Sequence, residues 1–168
     1  MNRRGATALS SLALVLLLSP STVLAQQTTL KEQLVGTWRY LSVDTIKPDG
    51  SRVPMFGASP SGLASFDSKG HYLLLTARRE RNKFASNNRM EGSAEENKTV
   101  VQGSIAHFGT YSVNEADKTI AFHIETSTFP NWNGTEQKRP FSISGDELRW
   151  TTAASSGGTA EVVLKRAK

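Results

Sequence analysis

Cysteine is missing from the 168-residue chain. Its absence removes disulfides, thiolate metal sites, cysteine nucleophiles and a lipid-modified cysteine anchor together. Histidine is scarce: His71, His107 and His123 stand far apart, with no His-x-His or His-Glu-x-x-His pair, so no metal is expected. Glycine-rich phosphate loops and a Gly-x-Ser-x-Gly elbow are also missing, which removes those routes to nucleotide binding and serine hydrolysis, and no cofactor is expected. Apolar runs are short. Leu12 to Leu18 is the longest near the start, far below the roughly 20 residues that span a bilayer. No internal repeat or low-complexity stretch stands out, and aromatic residues reach only 8%.

The start of the chain carries a different signal. Arg3 and Arg4 precede the Leu12–Leu18 run, and Val23-Leu24-Ala25 places small residues at the minus-three and minus-one positions of a cleavage site. This predicts a secretory signal peptide over residues 1–25 and an exported protein, periplasmic or secreted, consisting of residues 26–168. The paired arginines alone are a slight hint of twin-arginine export, since the apolar residues that usually follow are missing. Removing Arg3 and Arg4 leaves 18 basic against 15 acidic side chains. The sequence pI of about 9.7 therefore owes part of its height to the leader. The remaining cations are scattered apart from Arg78–Lys83, so nucleic acid is not an expected partner. Asn97-Lys98-Thr99 and Asn133-Gly134-Thr135 are glycosylation sequons with meaning only in a eukaryotic secretory route.

Residues 26–168 show short alternating runs broken by turn residues about every ten positions. The expected strands are Val35–Ile46, Ser61–Phe66, His71–Ala77, Thr110–Val113, Thr119–Ser127, Gln137–Ile143, Glu147–Thr152 and Thr159–Arg166. Regular strands with no alternating helices predict a single all-β domain, an antiparallel barrel or sandwich. The polar stretch Arg78–Gly103 is too long for a hairpin connection. Within it Ser93-Ala94-Glu95-Glu96 spells a capping box, which predicts a short helix over Ala94–Gln102 stopped by Gly103. The stretch is either a surface insertion or a lid.

Gly36-Thr37-Trp38 opens the first run. Glycine permits close approach of another backbone, and tryptophan can plug one end of a barrel. This motif, the chain length and the eight-strand rhythm together resemble the lipocalins and related calycin barrels. In those barrels a basic residue packs over the tryptophan, a role that suits Lys165-Arg166. A closer resemblance is to the bacterial and fungal lipocalin-like domain family. It is carried by Leu34–Trp38, Ile105–Tyr111, Ser127–Trp132, Gly134–Gln137, Arg139 and Gly145–Leu148, and covers about Leu34 to Leu164. The usual later-loop motifs of lipocalins proper are not evident. The resemblance implies an eight-stranded antiparallel barrel, with one short helix in a long insertion. It also implies a monomer that binds a small, largely apolar molecule, or else an isomerase or cyclase acting on such a molecule.

Period-two alternation names candidate site residues. Gln137, Arg139, Phe141 and Ile143 share a face, so Arg139 continues an apolar surface. A buried guanidinium must find partners: a salt bridge to Glu125 or Glu136, or a ligand oxygen. In Thr119–Ser127 the residues Ile120, Phe122 and Ile124 oppose His123 and Glu125. With the apolar face inward, His123 is an ordinary exposed histidine; with the other face inward, His123 and Glu125 form an acid–base pair. His107 shares this ambiguity. Tyr111 offers a hydroxyl to a ligand or anchors the wall, and Phe129 and Trp132 either plug the barrel end or line the rim of a site. The expected ligand-binding set is Arg139, Trp132, Tyr111, His107 and His123, with Gly36, Trp38 and Arg166 as the plug.

Overall fold

A computed structural model describes residues 28–168; the expected signal peptide lies outside the described residues. Nine strands follow in order: β1 (Gly36–Ile46), β2 (Arg52–Pro54), β3 (Ser61–Phe66), β4 (His71–Ala77), β5 (Ser104–Asn114), β6 (Thr119–Ser127), β7 (Glu136–Ser144), β8 (Glu147–Ala153) and β9 (Thr159–Arg166). All pairings are antiparallel, and β1 bonds to β3 on one side and to β9 on the other. That last pairing closes an eight-stranded barrel, and β2 adds a short flap to the far end of β1. Closure leaves no long unpaired sheet edge. The all-β, antiparallel barrel of the sequence reading is therefore the observed fold, with α2 (Ala94–Gln102) in its insertion.

Every second residue of a strand faces inward. Trp38, Tyr40, Phe66, Tyr72, Leu74, Tyr111, Phe122, Phe141, Leu148, Trp150, Val162 and Leu164 are all buried. The aromatic rings meet at the barrel centre: Tyr72 and Phe122 centroids are 4.7 Å apart, Phe66 and Tyr111 5.2 Å, and Phe122 and Trp150 6.1 Å. The middle of the barrel is therefore solid. The apolar faces of the strands converge, but they fill the interior rather than enclosing a long channel.

One pole is sealed. α1 (Leu30–Leu34) starts with a capping box between Thr29 and Glu32, and the Glu115 carboxylate accepts hydrogen bonds from the Leu30 and Lys31 amides. Trp38 is fully buried and donates from Nε1 to the Leu34 carbonyl at 2.8 Å. The Arg166 guanidinium lies 4.1 Å above the Trp38 ring and donates to the carbonyls of Val35 and Gln33. Gly36 takes a φ of +128°, and a Cβ there would stand 3.1 Å from Arg166 Nη1. Glycine is thus required by a backbone angle disfavoured for other residues and by the approach of a side chain, rather than of a second backbone.

The opposite pole is open. It carries the connections after β1, β2, β4, β6 and β8. Arg78–Gly103 is pinched at its base by an amide-to-carbonyl bond from Arg78 to Gly103. α2 occupies the residues the capping box predicts, with Ser93 accepting from the Glu96 amide and Glu96 accepting from the Ser93 and Ala85 amides. β5 begins at Ser104, six residues before its expected start. Its inward residues there include His107 and Gly109, whose polarity and small size hide the alternation.

Candidate functional site

Arg139 is the organising residue of the open end. β7 alternates as expected, so Arg139 points inward while Glu136 and Lys138 stand outside and pair with each other at 3.7 Å. Arg139 is 3% exposed, and no carboxylate lies within salt-bridge distance of it among the described residues. The expected ion pair to Glu125 or Glu136 therefore does not form. Strand parity turns Glu136 outward, and in β6 the inward positions of Ile120, Phe122 and Ile124 leave Glu125 outside as well. Instead Arg139 lies over Phe122, 4.4 Å from guanidinium carbon to ring centre, and 5.8 Å from Trp150. Its Nη2 donates to Gln137 Oε1 at 2.8 Å and to His107 Nε2 at 3.3 Å.

This arrangement fixes the His107 tautomer. Arginine only donates, so Nε2 must accept and the ring proton sits on Nδ1. Nδ1 then donates to the Tyr72 hydroxyl oxygen at 2.8 Å. Burial, reinforced by the Arg139 charge, lowers the His107 pKa from its ordinary value to about 3, so the ring is neutral near pH 7. Burial also lowers Arg139 to about 10, which leaves it cationic. Tyr40 and Tyr72 are pushed upward by burial and stay protonated.

An inner cavity of about 50 Å³ opens among these groups, lined by Tyr40, Thr76, His107, Trp132, Arg139 and Trp150 with apolar neighbours including Met55, Phe56 and Ile105. It is smaller than the roughly 150 Å³ void that accepts a benzene-sized guest. Above it lies a vestibule of about 500 Å³, walled by Val53–Phe56, Arg78, Val101, Gln102, Ile105, Thr128, Phe129 and Ser155. Met55, Phe56, Ile105 and Ser155 belong to both linings. The end of α2 thus forms part of the vestibule wall. Among the described residues three buried polar atoms have no hydrogen-bond partner: Thr76 Oγ1, Arg139 Nε and Trp150 Nε1. All three residues line the inner cavity. Buried polar groups are rarely left unpaired, so three at one cavity mark it as a place where an acceptor belongs.

Of the residues named from sequence, Arg139, His107 and Trp132 come together here. Trp132 stands on a 3-10 turn (Pro130–Trp132), its ring 5.7 Å from His107 and 5.6 Å from Phe129. Tyr111 does not line the cavity: its hydroxyl donates to the Asp67 carbonyl at 2.6 Å, toward the sealed pole. His123 and Glu125 are exposed on the outer wall of β6, because Ile120, Phe122 and Ile124 take the inward positions. The proposed acid–base pair is therefore outside the barrel. Thr76 and Trp150 escaped the sequence reading as site residues. Trp150 lies in the interior beside Leu148, but nothing in sequence marks its indole nitrogen as unpaired.

Comparisons with known proteins follow the same lines. No significant match is found among curated proteins. Similar solved structures include a redesigned β-barrel, 16% identical over 86% of this chain and all of that one, with a TM-score of 0.45. A lipocalin-like protein from Bacteroides uniformis ATCC 8492 is 13% identical over 80% of this chain and 98% of its own, with a TM-score of 0.45. An uncharacterized protein from Bacteroides eggerthii DSM 20697 is 14% identical over 79% and 98%, with a TM-score of 0.41. The model of the lipocalin-like domain matches residues 35–165, which runs from the residue before β1 to within one residue of the end of β9. The chain belongs to the lipocalin-like domain family.

Proposed function

We propose that this is an exported binding protein that takes up a small, largely apolar molecule at the open pole of its barrel. The observation that carries the reading is the pair of adjoining voids there, walled mainly by Met55, Phe56, Ile105, Val53 and Phe129. Concave, mostly apolar sites with a few convergent polar groups are the usual form of small-molecule sites. The solid aromatic centre confines a guest to the vestibule and the shallow cavity beneath it. Among the described residues no helix is long and apolar enough to cross a membrane. Export rests on the leader pattern of residues 1–25.

Trp132 and Trp150 line the cavity while Trp38 sits at the sealed pole. Titration with hydrophobic dyes, fatty acids and isoprenoids should therefore quench part of the tryptophan emission and leave a residual component from Trp38. Quenching should vanish in Trp132→Phe/Trp150→Phe. Absence of any saturable response across those probes would sink the binding reading. Export is checked separately by the mass of the processed protein, which should begin at Gln26. Catalysis by His123 and Glu125 is not proposed, since both are exposed on the outer wall.

A further inference from the structure

The three orphan polar atoms have a common chemistry. Arg139 Nε–H and Trp150 Nε1–H can only donate, and the Thr76 hydroxyl can donate. The two acceptors already serving Arg139, the Gln137 amide oxygen and neutral His107, carry no negative charge. The guanidinium is thus a buried cation without a counter-charge, an arrangement that is costly unless an anion completes it. No aspartate or glutamate lines either the inner cavity or the vestibule, whereas each contains one arginine, Arg139 below and Arg78 above. The charged side chains of the two voids are thus cationic, while the neighbouring cleft at the rim adds Arg79 and Glu80, which offset each other. A path of one sign draws ligands of the other.

We propose that the guest is a small amphipathic monocarboxylic acid. Its carboxylate sits in the inner cavity on Arg139, with Trp150 and Thr76 as further donors, and its apolar part runs past Met55, Phe56 and Ile105 into the vestibule. This rests on the binding reading above and names its ligand class. A cavity of about 50 Å³ suits a head of three heavy atoms. A phosphate dianion would bring more charge than the one cation inside can match. A neutral alcohol would satisfy a donor but leave the guanidinium charge uncompensated.

The test compares decanoate, 1-decanol and methyl decanoate, which share a ten-carbon chain, by calorimetry on the folded mature protein. Decanoate should bind at least tenfold more tightly than either neutral analogue. Arg139→Met should erase that advantage, Arg139→Lys should keep part of it, and Trp150→Phe and Thr76→Val should each weaken decanoate severalfold, more than they weaken 1-decanol. Melting curves establish that each variant is folded before it is compared. Equal affinity for all three probes, or an undiminished decanoate preference in folded Arg139→Met and Trp150→Phe, overturns the inference and leaves the binding reading intact. Binding of none of the three overturns the inference, and the binding reading falls with it when the dyes and isoprenoids are silent as well.

Discussion

His107 couples the interior of the barrel to solvent pH. Its ring meets Tyr72 on one nitrogen and Arg139 on the other, with the Trp132 and Phe122 rings nearly perpendicular to it. Among the described residues no carboxylate pairs with it, and the nearest charge, Arg139, opposes a proton there. The unfolded chain protonates this histidine near its ordinary value of 6.5, whereas the folded protein resists down to about 3. Between those limits the unfolded state binds more protons, so stability rises with pH through the window and falls as the solution is acidified. The contribution approaches about 1.4 kcal/mol per pH unit within the window. Urea midpoints measured at pH 7 and pH 4 should therefore drop steeply for the wild type and distinctly less for His107→Gln. Parallel losses in the two proteins would show that the acid sensitivity arises elsewhere. At this scale the sequence was partly readable. Strict alternation placed Arg139 inward, whereas in β6 it left both faces open, and His123, expected among the ligand-binding residues, stands outward. The partners of Arg139 were not readable, because His107 and Gln137 reach it from two strands whose mutual positions depend on the closed barrel.

Helices and strands differed in how openly they declared themselves. α2 was legible to the residue because its limits are set by local chemistry, the Ser93–Glu96 box at one end and Gly103 at the other. The same signature, Thr29-Leu30-Lys31-Glu32, marks α1, which the strand rhythm overshadowed. β2 is three residues long with all of them exposed, so no periodicity could reveal it. α2 buries none of its residues, and its stability depends heavily on its cap. Ser93→Ala should cost the helix about 1 kcal/mol. Amide exchange within 94–102 should quicken severalfold, while the global urea midpoint barely moves because the barrel does not lean on this helix. A matching fall in global stability would mean the helix is an integral part of the core. Since Val101 and Gln102 wall the vestibule, the same variant should release bound guest faster.

The whole molecule divides into a sealed pole and an open one. Eight strands, their antiparallel order and the plug of Gly36, Trp38 and Arg166 were within reach of sequence, because turn spacing and the Gly-x-Trp motif are local while the resemblance supplied closure. The size of the internal void was not, since it depends on how Tyr72, Phe122, Phe66 and Trp150 interlock at the centre, a matter of rotamers rather than pattern. Arg166 binds the end of β9 to the end of α1 through two carbonyls and the Trp38 ring. Arg166→Ala should lower unfolding free energy by about 2–3 kcal/mol with little effect on guest affinity, because the voids are at the other pole. Chemical denaturation and calorimetry on the same preparation check both halves of that expectation. A loss of affinity equal to the loss of stability would mean the two poles are coupled.

The bonds from Arg166 to Gln33 and Val35 bring the beginning and the end of the barrel to one place. A tag, tether or solid support joined directly before Thr28 or after Lys168 therefore grips the molecule by its base and leaves the mouth directed away from the attachment. A short linker could join the two ends, with new termini cut into an outlying turn, and the wall would keep its order.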